Sequence, residues 1–109
     1  MKHEELIGER GGGRKIYTIT ELNKEVRGVL ETRYAGVWVE GEVSNYKRHS
    51  SGHIYLTLKD EQSQISAVFF SFHHRGLKFG LEDGLKVLAY GRASVYEARG
   101  QYQFYIERV

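Results

Sequence analysis

Residues 38–60, WVEGEVSNYKRHSSGHIYLTLKD, decide how the rest of the chain is read. Val39 and Val43 alternate with Trp38, Glu40 and Glu42. That period of two puts successive side chains on opposite faces of a strand. Ile54, Leu56 and Leu58 alternate in the same way with Tyr55, Thr57 and Lys59, which makes a second strand. Between them Lys47, Arg48, His49, Ser50, Ser51 and Gly52 form a basic turn, flanked by the rings of Tyr46 and Tyr55. Cations neutralise phosphates, and aromatic faces accept stacked bases. A polynucleotide is therefore the ligand class this hairpin suits.

Working outward, a third strand runs from Gln64 to Phe70, with Ile65, Ala67 and Phe69 on one face and Ser66, Val68 and Phe70 on the other. Residues 71–80, SFHHRGLKFG, break the alternation and predict a short helix or loop, with Leu77 and Phe79 turned inward. Glu82-Asp83-Gly84 turns the chain into a fourth strand, Leu85 to Tyr96. Glu97 to Gly100 is a hairpin turn, and a fifth strand carries Tyr102, Phe104 and Ile106 on one side. Gly41 and Gly91 interrupt two of these strands, where glycine marks a bulge or a sharp bend.

Upstream, Thr18-Ile19-Thr20-Glu21 has the spacing of a capping box. Ile19, Leu22, Val26, Val29 and Leu30 then recur at helical spacing, predicting a helix over 19–33 whose apolar stripe packs on the core. Lys24, Arg27 and Arg33 lie off that stripe and read as solvated. Residues 1–14 read as a flexible tail. Arg10 and Arg14 around three glycines also resemble an Arg-Gly segment that touches phosphates, but one short instance favours the tail.

Bulk composition sets limits. A chain of 109 residues makes one domain the natural count and can bury a core of its own. Zero cysteines exclude disulfides and thiolate metal sites. There is neither an apolar run of membrane-spanning length nor a signal-like start, which suits the cytoplasm. Net charge is only +2, so the location of the charges, not their sum, has to carry any electrostatic reading. With no proline, turns fall to the 13 glycines and to Asn, Asp and Ser.

One helix, three strands, an irregular connector and two more strands predict a mainly β protein. The architecture expected over 15–109 is a five-stranded OB-fold Greek-key barrel preceded by the helix. Such a barrel binds through the face of strands two and three and through the loops joining strands one to two and four to five. Here Lys47, Arg48 and Arg99 are expected on phosphates, Tyr46, Tyr55, Phe70 and Tyr96 as stacking faces, and Lys59 on the same outward face. Stacking tolerates any base, so single-strand binding with little sequence preference follows.

No catalytic constellation is legible. Glu40 and Glu42 share a strand face, but nothing else converges on them and two solvated positions are the simpler reading. His49 and His53 span a turn and lack the helical register of a zinc pair. His73 and His74 are read as loop histidines near phosphates. Ser50 and Ser51 have no orienting acid, and Gly11 to Gly13 lack the spacing of a phosphate loop. Neither a metal nor a cofactor is expected.

Three groups of residues carry a family resemblance: Trp38-Val39-x-Gly41-Glu42-x-Ser44-Asn45; Ser51-Gly52-His53-x-Tyr55-x-Thr57-Leu58-Lys59-Asp60; and Gly91-Arg92 with Tyr96-x-x-x-Gly100-x-Tyr102-Gln103. With Thr18 to Leu22, Val26 and Leu30, they resemble the N-terminal domain of the exodeoxyribonuclease VII large subunit over residues 15–109. The resemblance implies an OB-fold DNA-binding domain in a parent enzyme that degrades single-stranded DNA to oligonucleotides. It also implies a nuclease domain beyond this chain and a small-subunit partner bound through regions absent here. It places the binding surface at Asn45, Lys47, Arg48, His53, Tyr55, Arg92 and Arg99 and carries no catalytic residue onto this chain. The chain is then expected to be a piece of a longer protein. The alternatives are a non-enzymatic single-strand-binding OB protein, or a protein-interaction module whose aromatic face docks a partner.

Overall fold

A computed structural model describes residues 15–77 and 79–109; the tail reading for 1–14 lies outside the described residues. The elements run α1 (Ile19–Arg33), β1 (Val37–Arg48), β2 (Ile54–Lys59), β3 (Gln64–Phe69), α2 (Ser71–His74), β4 (Lys86–Tyr96) and β5 (Gln101–Arg108). The strands close into a barrel in the order β1-β2-β3-β5-β4, with β4 returning to β1. All neighbours are antiparallel except β3 and β5, which pair in parallel. The helix and connector lie where the alternation predicted them, and the expected closure is present.

The inward positions of each strand meet in one core. Val43, Ile54, Leu56, Leu58, Ala67, Phe69, Val87, Ala89, Phe104 and Ile106 are buried together, with Leu81 of the connector closing one end. Tyr102 departs from its expected alignment with Phe104 and Ile106: at the barrel's end it is exposed. Phe79 is exposed too, whereas Leu77 packs against the core as expected.

β1 is longer than the hairpin pattern suggested. It runs through Lys47 and Arg48, so the turn is only His49 to His53, closed by a bond from the His49 N–H to the His53 carbonyl at 2.8 Å. Its bulge falls not at Gly41 but between Ser44 and Lys47. Asn45 there adopts φ 52°, a left-handed conformation asparagine tolerates better than most residues. The extra residue changes the strand's phase. Val43 faces the core before the bulge, Tyr46 packs on the core within it, and Lys47 emerges opposite outward-facing Tyr55. At the other irregularity, between Tyr90 and Gly91, the expectation for glycine holds: a Cβ on Gly91 would lie 2.0 Å from the Tyr105 carbonyl oxygen.

α1 begins with the capping box in full. The Glu21 N–H donates to Thr18 Oγ1 at 3.1 Å, and the Thr18 N–H donates to Glu21 Oε1 at 2.9 Å. These bonds hold the Glu21 carboxyl below the usual carboxylate range. The apolar stripe, however, does not pack on the core. Ile19 is 75% exposed and Val29 61%, and no residue of the helix is fully buried. A neighbouring, polar face docks instead. Asn23 Nδ2 donates to the Glu97 carbonyl at 3.0 Å, and Arg27 spans Glu31 at 2.9 Å and Glu97 at 2.7 Å. The hydroxyl of fully buried Ser94 on β4 donates to Glu31. Arg27, expected to be solvated, is thus the centre of the seam. The barrel's interior is already filled by strand residues, so the helix has only the outer, hydroxyl-bearing face of β4 to lie on.

Candidate nucleic-acid interface

The barrel's outward face holds an open groove of about 700 Å³. β1, β2, β3 and β5 supply its floor and walls, and the β4–β5 turn supplies one rim. The pairing register sorts the floor into two rows that cross the strands. In the first, Lys47 stands opposite Tyr55, Tyr55 opposite Val68, Val68 opposite Tyr105, and Tyr105 opposite Arg92. Its middle is apolar and largely buried, with Val68 4% and Tyr105 8% exposed. The Arg92 guanidinium lies 5.1 Å from the centre of the Tyr105 ring. The row therefore reads cation, aromatic, apolar, aromatic, cation.

Aromatic rings extend this row along the start of α2. Phe70 meets Tyr105 edge-on at 5.6 Å, and Phe72 lies parallel to Phe70 at 5.5 Å. Phe72 is 57% exposed. Tyr96 and Arg99 stand at the opposite rim. Lys47 and Arg99 have no carboxylate partner among the described residues, so both are free to meet a phosphate.

Several expected site residues stand elsewhere, each for a local reason. The bulge turns Tyr46 onto the core, and its N–H donates to Asp83 Oδ1 at 2.8 Å, so it offers no stacking face. Lys59 lies two steps along β2 from Thr57, at the far opening of the barrel, 3.7 Å from Glu42. Arg48 is exposed at the end of β1 and does not line the groove. His53 accepts the Ser71 N–H on Nδ1 at 3.0 Å and packs edge-on against Phe70 at 5.1 Å. Through these two contacts it braces the aromatic row. His74, read as a loop histidine near phosphates, is buried, with Nε2 2.7 Å from the Gly52 carbonyl. Arg92 sits at the row's edge, 3.5 Å from Glu107 and 3.9 Å from Glu31. Asn45, Lys47, Tyr55, Phe70, Tyr96 and Arg99 do come together in the groove.

Gln101, Gln103 and Tyr105 also line it, though the sequence reading passed over them. Their signal was the period of two on the fifth strand, where they alternate with the inward residues. What alternation alone did not supply was the parallel pairing of β5 with β3, which lays them beside Ser66 and Val68.

No helix among the described residues is long and apolar enough to cross a membrane. Over 95–96 residues the chain is 47% identical to proteins named exodeoxyribonuclease 7 large subunit from Bacillus cytotoxicus and Bacillus thuringiensis. The match covers 85–86% of this chain but 21% of each relative, in the relatives' N-terminal region. The chain therefore spans about a fifth of the length of the curated relatives it matches. A crystal structure of yeast Stn1 and Ten1 superposes with a TM-score of 0.52 at 14% identity, covering 97% of this chain and 67% of that one, a likeness of fold alone. The family model described as "OB-fold nucleic acid binding domain" matches residues 17–109, and with the five strands closed into a barrel, the chain belongs to that family.

Proposed function

We propose that this chain is the single-stranded-DNA-binding module of an exodeoxyribonuclease VII large subunit, delivering the strand to a nuclease domain that lies outside these residues. The observation that supports it most is the groove that brings the exposed rings of Tyr55 and Tyr96 together with Lys47 and Arg99. Exposed rings beside cations that have no carboxylate partner among the described residues match a chain of bases strung on phosphates, and each base stacked on a ring is worth about 1–3 kcal/mol. Duplex DNA keeps its bases stacked inside and offers no faces to these rings, so the single strand is the fitting form. The relatives' name supplies the nuclease context, with hydrolysis and any small-subunit contact belonging to the remaining four-fifths of such proteins.

The test is titration of labelled oligo-dT into the 109-residue chain at several salt concentrations. Binding weakens with salt. Lys47→Ala combined with Arg99→Ala flattens the slope of log K against log salt by up to about 1.4, since each phosphate contact on a single strand contributes ~0.7. A slope unchanged by the double substitution places the site elsewhere, and preference for a duplex of the same length removes the single-strand reading. Absence of binding at low salt favours a protein-docking role for the aromatic face.

A further inference from the structure

Beside the stacking row lies a second row of a different character. Ser44 and Asn45 at the β1 bulge adjoin Thr57, Thr57 stands opposite Ser66, and Ser66 opposite Gln103. Asn45 Nδ2 donates to Thr57 Oγ1 at 3.3 Å, and Gln101 Nε2, one step along β5, reaches Ser66 Oγ at 3.4 Å. The row continues across the groove as neutral amides and hydroxyls. The groove's two cations, Lys47 and Arg99, stand outside it.

This composition separates two ways of holding a single strand. A surface that grips only the backbone needs positive charge along its length, and its floor need only be apolar. A solvated sheet face carries long charged side chains. The floor here does neither. Its polar residues sit one side-chain step from the stacking row, and the step between like-facing residues on a strand is ~6.8 Å. A base lying on the exposed ring of Tyr55 therefore has its hydrogen-bonding edge toward Thr57 and Ser66, with Gln103 next in the row. Each of these carries donor and acceptor capacity. Two of the amides are steadied by the hydroxyls they touch, so the surface is partly ordered before a base arrives.

We propose that the row Asn45, Thr57, Ser66 and Gln103 reads base edges, so that the groove discriminates between single-stranded sequences instead of holding all alike. This rests on the single-strand reading above and adds base selection to it. The chemistry is that of RNA and DNA single strands generally: the base is held by stacking and identified by hydrogen bonds along its open edge. A base with the wrong pattern leaves an amide or hydroxyl at the groove floor without a partner, which is the source of the penalty.

The test compares oligo-dA, oligo-dC and oligo-dT of one length at fixed salt, using the wild-type chain, Gln103→Leu and Thr57→Val. The leucine keeps the bulk of the glutamine, and the valine keeps the shape of the threonine. The wild type is expected to separate the best from the worst homopolymer by on the order of tenfold, the value of one or two net hydrogen bonds. Either substitution is expected to shrink that ratio by about threefold or more while leaving the salt slope unchanged. Thermal unfolding checks that each variant is folded, and Thr57→Val, nearly isosteric, decides the matter if Gln103→Leu is unstable. Wild-type affinities within twofold of one another overturn the inference but leave single-strand binding intact. So does a wild-type ratio that neither folded variant alters. Failure of all three homopolymers to bind at low salt overturns the single-strand reading and this inference with it.

Discussion

A single atom's absence at position 91 allows the barrel to close as it does. A Cβ there would stand 2.0 Å from the Tyr105 carbonyl oxygen, with the Ile106 Cα at 3.1 Å, so backbone and not a yielding side chain is in the way. Gly91→Ala is expected to cost about 3 kcal/mol of unfolding free energy, at the upper end for overpacking, as read from urea titration. At Tyr55 the expectation concerns binding. Its ring is part-exposed in the groove beside Lys47. Tyr55→Ala should weaken oligo-dT binding by about 1–3 kcal/mol, one lost stack, and leave the salt slope unaltered because no charge is removed. A changed slope would show that Tyr55 acts by positioning Lys47. These residues differ in legibility. Gly91 announced itself as a glycine inside an alternating strand, and Tyr55 as a ring beside a basic run. Tyr46 carried the same signal as Tyr55 but packs against the core, because one bulged position reversed its direction.

At the level of elements, α1 is held by charge and hydrogen bonds where its sequence promised apolar packing. Burial alone pushes the Glu31 carboxyl upward, but the Ser94 hydroxyl, Arg27 and Arg92 outweigh it and hold the group below the ordinary glutamate range. The sign follows from linkage. A carboxyl that ionises more readily folded than unfolded adds stability above its unfolded value of about 4.3, and this is lost as pH falls through the lower folded value. Glu31→Gln is therefore expected to lower stability at pH 7 by about 1–3 kcal/mol and to flatten the decline in acid. Denaturant titrations at pH 7 and in acid, followed by far-UV circular dichroism, check both halves. Conversely, Ile19→Ser and Val29→Ser should each change stability by no more than about 0.5 kcal/mol, since those side chains touch mainly solvent. A loss of about 2 kcal/mol in either would mean that the stripe is covered in solution. Helical period, cap and boundaries were legible in Thr18 to Arg33. The docking face was not, because periodicity reports which side of a helix is apolar and not which side finds a partner.

At the scale of the whole molecule, the closed barrel removes the free edges at which a sheet frays or pairs with other chains. Unfolding by urea should therefore be a single transition, with circular dichroism and the fluorescence of Trp38 changing together. Trp38 is a fair reporter, since its ring lies tilted against Tyr90 across the β1–β4 seam, centres 5.1 Å apart, and that seam exists only in the closed state. Two separated transitions would show that part of the sheet opens independently. The sequence by itself determined the strands, the capped helix and the basic, aromatic character of one hairpin. All of these depend on neighbours a few residues apart, through the periods of two and 3.6 and the reach of a capping side chain. Tertiary structure alone decided which residues face the ligand. The parallel pairing of β3 with β5 set Gln103 and Tyr105 beside Ser66 and Val68, and the bulge at Asn45 sent Tyr46 inward and Lys47 outward. Lys47, near the end of β1, is thereby one end of a shelf crossing the barrel. Contacts between residues some forty apart fix its other end, and no local pattern encodes them.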